Sequence, residues 1–180
     1  MEEIEVPTEH LHEDIHHQAE HSGEKWITWV ALCSALLAVL AAVTALMAGH
    51  HANEAMIEQM QASDNWAHYQ AKSIKAAILT EKSDLLEAAG KSLSEADRDK
   101  IAEYKKDQEE ISEKAKEKEQ ASASHLRHHV ILARGVTMFQ VAIAISAIAA
   151  LTKRRHFFLV GLCFSLVGIF FLIQGLLLKT

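Results

Sequence analysis

Three long blocks without a charged side chain constrain this sequence more than any other feature. The blocks run over residues 26–48, 135–151 and 157–178 and contain 23, 17 and 22 residues. A helix that crosses the hydrocarbon core of a bilayer needs roughly 20 apolar residues at a rise of 1.5 Å per residue. The second block is short, but residues 130–133 lengthen it if the Arg134 side chain extends to the interface. The sequence therefore predicts three transmembrane helices.

The composition excludes other fold classes. Hydrophobic residues make up 49% of the chain and charged residues 23%, and the two kinds occupy separate stretches. This separation excludes a soluble domain with one mixed core, and the apolar blocks exclude a disordered chain. One proline and seven glycines are too few turn residues for an all-β architecture. We therefore predict an all-α integral membrane protein.

The predicted organisation has six segments. They are an acidic, histidine-rich tail or amphipathic helix at 1–25, transmembrane helices at 26–49, 135–152 and 157–178, an extramembrane region at 50–134 and a basic loop at 153–156. The tail does not resemble a signal peptide, because eight acidic residues and a single lysine precede the first block.

Residues 50–134 predict a long antiparallel helical hairpin. They include 13 basic and 16 acidic residues and no proline, and helix-favouring residue types dominate. Gly90 is typical of a helix end, and Ser94 followed by Asp97 is typical of a helix start. We expect the turn near residues 90–94.

Heptad spacing predicts which positions of the hairpin face each other. In the second arm these are Ile101, Tyr104, Gln108, Ile111, Ala115, Lys118, Ser122, His125, His129 and Leu132. In the first arm they are Met60, Ala67, Ile74, Ala77 and Ala88. A two-helix hairpin this polar buries too little apolar surface to be stable alone. We expect it to pack against other copies or to bind a partner; the alternative is a solvated stalk.

Small residues recur at helical spacing in the transmembrane blocks. In the first block and just beyond it they are Ala31, Ala35, Ala38, Ala42, Ala45 and Gly49, and in the third block Gly161, Ser165 and Gly168. Such residues let helices approach closely in lipid. We expect a homo-oligomer that Ala38→Leu or Gly168→Leu disrupts, although the spacing also fits packing within one chain.

Twelve histidines are unusually many for 180 residues. Five lie in the tail, and five fall at one membrane boundary if the hairpin forms. With a nearby glutamate they define a candidate metal set: His50, His51, Glu54, His125, His128 and His129. Imidazole and carboxylate groups suit a divalent transition metal such as Zn²⁺, Fe²⁺ or Cu²⁺. A pH-sensitive interface is the alternative interpretation.

A second cluster of functional groups lies in the first arm. It consists of Asp64, Trp66, His68 and Tyr69. Trp66 and Tyr69 are three residues apart and share a helix face, which fits either an exposed recognition patch or packing between helices.

No catalytic motif or cofactor motif occurs in the sequence, so we do not expect an enzyme. The net charge of −6 without a basic face argues against nucleic-acid binding. The leading hypothesis is a membrane scaffold that oligomerises through small-residue faces and presents the hairpin to an unidentified protein partner. A metal-binding or pH-responsive membrane protein is the alternative. An oligomeric channel is third, because no Asp, Glu, Lys, Arg or His lies inside a span.

The basic loop at 153–156 predicts the orientation. Basic residues concentrate on the cytoplasmic side of spans, and residues 49–68 contain none. We therefore expect a cytoplasmic N-terminus and a periplasmic hairpin, although basic residues before the second span weaken this assignment.

Several stretches resemble a known family of bacterial membrane proteins. They are residues 5–13, 49–55, 61–66 and 69–72. The chain is similar over its whole length to the domain of unknown function family 4337. The resemblance implies a bacterial, inner-membrane protein and carries no information on activity or substrate.

Overall fold

The computed structural model describes residues 25–178, which form three α-helices. Helix α1 covers Lys25–Ala88, α2 covers Glu95–Thr152 and α3 covers Arg155–Leu177. No strand occurs among residues 25–178, so the predicted all-α class is confirmed for them. Apart from Lys25, the predicted tail lies outside the described residues.

Helices α1 and α2 are longer than the predicted elements. The predicted boundaries at 49–50 and 134–135 fall inside these helices, and neither interrupts them. Gly49 and Gly135 do not break the helix, because an isolated glycine costs only about 1 kcal/mol. No proline lies between residues 25 and 178 to impose a break.

The turn between α1 and α2 follows the predicted signals. Gly90 has a φ of +71°, a left-handed conformation that glycine adopts without strain. The Lys91 N–H donates to the Leu86 carbonyl at 2.8 Å and closes the end of α1. At the start of α2, Ser94 Oγ accepts from the Asp97 N–H at 3.2 Å. Helix α1 therefore ends two residues before Gly90, and α2 begins directly after Ser94.

The chain divides into two compact units. Among the described residues, the apolar unit comprises 25–52 and 126–178, and the polar unit comprises Asn53–His125. Each is described by itself below.

Small side chains form much of the interior of the apolar unit. Ile27, Val30 and Ala31 of α1 form a buried cluster with Ala147 and Ala150 of α2. The buried residues of α3 are Gly161, Ser165, Gly168 and Gly175. Large apolar side chains lie outside, among them Trp29, Leu32, Leu36, Leu46, Leu166, Phe170 and Leu177. This distribution suits a hydrocarbon environment, where close packing of small residues associates helices. Each helix is long and apolar enough to cross a membrane.

In the polar unit, the two helical segments contact each other in reverse order. Three ion pairs join them: Glu58 with Lys118 at 2.9 Å, Lys72 with Asp107 at 2.6 Å, and Lys82 with Asp97 at 2.8 Å. Ser122 Oγ also donates to the Ala55 carbonyl at 2.8 Å.

The predicted contact face is right for α2 and wrong for α1. Ile111, Ala115 and Ser122 of α2 are buried as expected. The residues expected to face α2 from the first arm are all exposed: Met60, Ala67, Ile74, Ala77 and Ala88. The buried residues of this part of α1 are alanines, Ala55, Ala62 and Ala76. Their small side chains let α1 approach α2 closely enough for direct ion pairs, whereas larger residues would separate the helices.

Candidate functional site

Three histidines of the apolar unit, His51, His128 and His129, stack on a neighbouring ring or bond to backbone carbonyls. His128 is buried, and its Nε2 donates to the Leu178 carbonyl at 3.1 Å. The ring of His51 stacks on that of His128 with centroids 4.6 Å apart and planes 20° from parallel. His129 Nδ1 donates to the Ala48 carbonyl at 2.9 Å. These contacts tie α1, α2 and the end of α3 together.

The predicted metal set is not assembled as a coordination site. Among residues 25–178, no group of three or more His, Cys, Asp or Glu side chains is placed to hold a metal ion. Stacked rings present their faces to each other, whereas a shared ion requires the nitrogen lone pairs of both rings to converge. The set His50, His51, Glu54, His125, His128 and His129 therefore has no metal-binding geometry in this structure, and Zn²⁺, Fe²⁺ or Cu²⁺ binding remains a prediction.

The predicted interaction patch in the first arm separates into two faces. Trp66 Nε1 donates to the Glu119 carboxylate at 2.8 Å, and the Trp66 and Tyr69 rings meet edge to face at 5.5 Å. Asp64 and His68 are exposed. The two aromatic residues thus support helix packing in the polar unit, and they do not form a joint exposed patch with Asp64 and His68.

Lys72 forms the shortest of the three ion pairs that join the two helical segments of the polar unit. Its ammonium group bonds to the Asp107 carboxylate and lies 5.0 Å from the centroid of the Tyr104 ring. The hydrogen bond to Asp107 raises the pKa of Lys72, and the hydrogen bond from Lys72 lowers the pKa of Asp107. Both shifts favour the charged pair.

An exposed row of residues on α1 includes Met60, Ala67 and Ile74, three of the five positions expected to face α2. The residues are separated alternately by three and four positions, the spacing of a coiled-coil seam. They are Ile57, Met60, Asp64, Ala67, Ala71, Ile74, Ile78, Glu81 and Leu85, and we call them the outer seam. Met60, Ile74, Ile78 and Leu85 are each more than 60% exposed. Ile74, Ile78 and Leu85 line a shallow groove of about 550 Å³.

The predicted small-residue stripes of α1 and α3 differ in how far they pack against other helices of the chain. In α3, a Cβ on Gly161 would lie 3.1 Å from the Ala142 carbonyl oxygen and Ser146 Oγ, so this stripe packs on α2 of the same chain. The stripe of α1 comprises Ala31, Ala35, Ala38, Ala42, Ala45 and Gly49. In it only Ala31 is buried, while Ala42 is exposed, and a Cβ on Gly49 would meet nothing within 4 Å.

Hydroxyl groups within the apolar helices bond to their own backbone. Thr44 Oγ1 donates to the Leu40 carbonyl at 2.6 Å, and Ser146 Oγ donates to the Ala142 carbonyl at 2.8 Å. Such bonds satisfy a hydroxyl group without water.

The described residues thus form an all-helical protein whose three helices could each cross a membrane. The chain belongs to the family described as domain of unknown function DUF4337, whose family model matches residues 26–178. No curated protein and no solved structure shows significant similarity to it.

Proposed function

We propose that the protein is a non-enzymatic membrane scaffold that oligomerises through helix faces and presents a two-helix hairpin outside the bilayer. The observation that carries this proposal is the outer seam. The outer seam exposes the apolar side chains of Ile74, Ile78 and Leu85, and their exposure to water is unfavourable. A helical partner that covers them would lower the free energy. Heptad spacing indicates a helix as that partner.

The half-covered stripe of α1 supports association within the bilayer. Ala42 and Gly49 offer a surface on which the backbone of a second helix can approach closely. The proposal places the apolar unit in the bacterial inner membrane, with the N-terminus in the cytoplasm and the hairpin in the periplasm. The basic loop 153–156 supports this orientation.

Native mass spectrometry of the full-length protein, purified in detergent without a histidine tag, tests the proposal. We expect a defined oligomer for the parent protein and a lower subunit number for Ala42→Leu, whose larger side chain blocks close approach. Val43→Leu is the matched control, because Val43 is an exposed neighbour outside the stripe. A monomeric parent protein, or equal subunit numbers for all three proteins, would contradict oligomerisation through this face.

A further inference from the structure

The described part of the apolar unit contains charged side chains of one sign. Its described residues, 25–52 and 126–178, include six lysines and arginines and no aspartate or glutamate. Lys153, Arg154 and Arg155 are consecutive in the turn between α2 and α3, and all three are exposed. We call these three residues the basic turn. Within the described part of this unit, no carboxylate side chain exists to neutralise them.

An aromatic contact holds one cation of the basic turn in place. The guanidinium carbon of Arg155 lies 5.5 Å from the centroid of the Trp26 ring, so the start of α1 lies beside the turn. Lys25 precedes Trp26 and is also exposed. A guanidinium group held against an aromatic ring loses less conformational freedom when it binds an anion.

The backbone of the basic turn is strained at a lysine. Lys153 has a φ of 53°, a left-handed conformation in which glycine would be less strained. A lysine therefore occupies a position at which the backbone conformation favours glycine. Strained residues often belong to functional sites. Here the strained residue contributes charge beside Arg154 and Arg155.

We propose that the basic turn binds the phosphate of an anionic phospholipid headgroup. This proposal rests on the membrane placement in the proposed function. The turn joins two helices that could each cross a membrane, which places it at headgroup depth. Trp26 is typical of this depth, because its ring is apolar and its N–H is polar. Arginine matches the geometry of phosphate with paired N–H donors, and basic residues near span ends attract anionic lipids.

Lipid retention by the full-length protein tests the proposal. The protein is reconstituted in phosphatidylcholine bilayers with or without phosphatidylglycerol, and native mass spectrometry counts the retained lipids. We expect the parent protein to retain phosphatidylglycerol in preference to phosphatidylcholine. We expect the triple variant Lys153→Gln/Arg154→Gln/Arg155→Gln to retain less phosphatidylglycerol than the parent protein, by a factor of about ten or more. Arg155→Lys, which keeps the charge but loses the paired donors, should fall between the two.

The matched control removes the same charge elsewhere. Lys105, Lys114 and Lys116 are exposed lysines of the polar unit, and their triple substitution to glutamine should leave lipid retention unchanged. Equal losses in both triple variants would overturn the proposal, because the effect would then follow net charge alone. The absence of any preference for phosphatidylglycerol in the parent protein would also overturn it.

Two other occupants are distinguished by further arms of the experiment. Inorganic phosphate, titrated into phosphatidylcholine bilayers, should bind far more weakly than phosphatidylglycerol; equal binding would identify free phosphate as the ligand and overturn the proposal. The acidic tail is the other competitor. If the preference for phosphatidylglycerol appears only in the variant Glu20→Gln/Glu24→Gln, the tail occupies the basic turn in the parent protein. The same spectra report subunit number, so loss of lipid at constant subunit number leaves the scaffold proposal intact.

Discussion

Phe139 occupies the space that a side chain on Gly168 would need. A Cβ on Gly168 would lie 2.7 Å from both Cδ1 and Cε1 of the Phe139 ring, and Phe139 is fully buried. The contact between α2 and α3 therefore depends on glycine at position 168. The predicted effect of Gly168→Leu on assembly must accordingly act first on the fold of the single chain.

We expect Gly168→Ala to lower the free energy of unfolding by about 1–3 kcal/mol, because a buried ring cannot move away without strain. The loss should outweigh the better helix propensity of alanine. Reversible unfolding in mixed micelles measures it. Gly49→Ala is the control, since its new Cβ would meet nothing within 4 Å and should leave stability equal or higher. Equal destabilisation by both variants would contradict the packing argument.

The contrast between the two faces of α1 in the polar unit shows what the sequence could and could not predict. The three apolar blocks, the turn signals at Gly90 and Ser94, and the heptad positions of α2 are local patterns. They predicted helical segments, a turn and one contact face, but not that α1 and α2 continue without a break through residues 49–50 and 134–135. In α1, two faces carry heptad spacing. One contains Ala55, Ala62 and Ala76, and the other is the outer seam.

The positions predicted to be buried were Met60, Ala67, Ile74, Ala77 and Ala88. All five are exposed, so this interpretation was wrong. The choice depends on how closely the second helix approaches and on which charges it places opposite. Lys72 is paired only because Asp107 lies across from it, a relationship that periodicity within one helix does not reveal. The same reason applies to the candidate site. The sequence left two roles open for Trp66, an exposed patch and helix packing, and only its hydrogen bond to Glu119 of the other helix favours packing.

The Lys72–Asp107 pair predicts a pH window for the stability of the polar unit. The pKa of Asp107 is lowered from its ordinary value of 3.8, so its contribution is present above 3.8 and disappears as pH falls through the lowered pKa. The pKa of Lys72 is raised from 10.5, so its contribution is present below 10.5 and disappears as pH rises through the raised pKa.

We therefore expect Asp107→Asn to reduce stability at neutral pH and to weaken the loss of stability on acidification. Thermal unfolding followed by circular dichroism between pH 7 and pH 3 measures both effects. The control is Asp99→Asn, because Asp99 is an exposed acid of the same helix. If the two variants have the same acid dependence, the pair does not set it.

The stacked histidines predict a second stability difference. His128→Ala removes a buried ring together with its bond to the Leu178 carbonyl, and we expect a loss of about 2–4 kcal/mol. His50→Ala should cost much less, because His50 is exposed. Unfolding in mixed micelles, with and without added Zn²⁺, compares the two variants.

A small loss of stability for His128→Ala would show that the stack contributes little. Zinc stabilisation that disappears in His50→Ala/His129→Ala would favour the metal hypothesis.

Substitutions at Lys153 distinguish the effect of backbone strain in the basic turn from the effect of its charge. Lys153→Gly relieves the left-handed strain and should raise stability by roughly 1 kcal/mol. The same variant removes one cation and should lower phosphatidylglycerol retention. Lys153→Gln is the comparison, because it removes the charge but keeps the strain. If lipid retention changes in parallel with stability across the parent protein, Lys153→Gly and Lys153→Gln, the turn affects lipid retention only through the fold and not through its charge.

The outer seam predicts where two copies meet if the scaffold assembles through it. Copies inserted in the same direction place identical seam positions opposite each other, as in a parallel coiled coil. Ile78 is 62% exposed, so Ile78→Cys should fold normally and form a disulfide between copies under mild oxidation. The variant is made with Cys33 and Cys163 replaced by alanine. Lys114→Cys in the same background is the control, because Lys114 lies on an exposed polar position of α2. If both cysteines cross-link equally, collision explains the bond; if neither does, the seam binds a different helix or none.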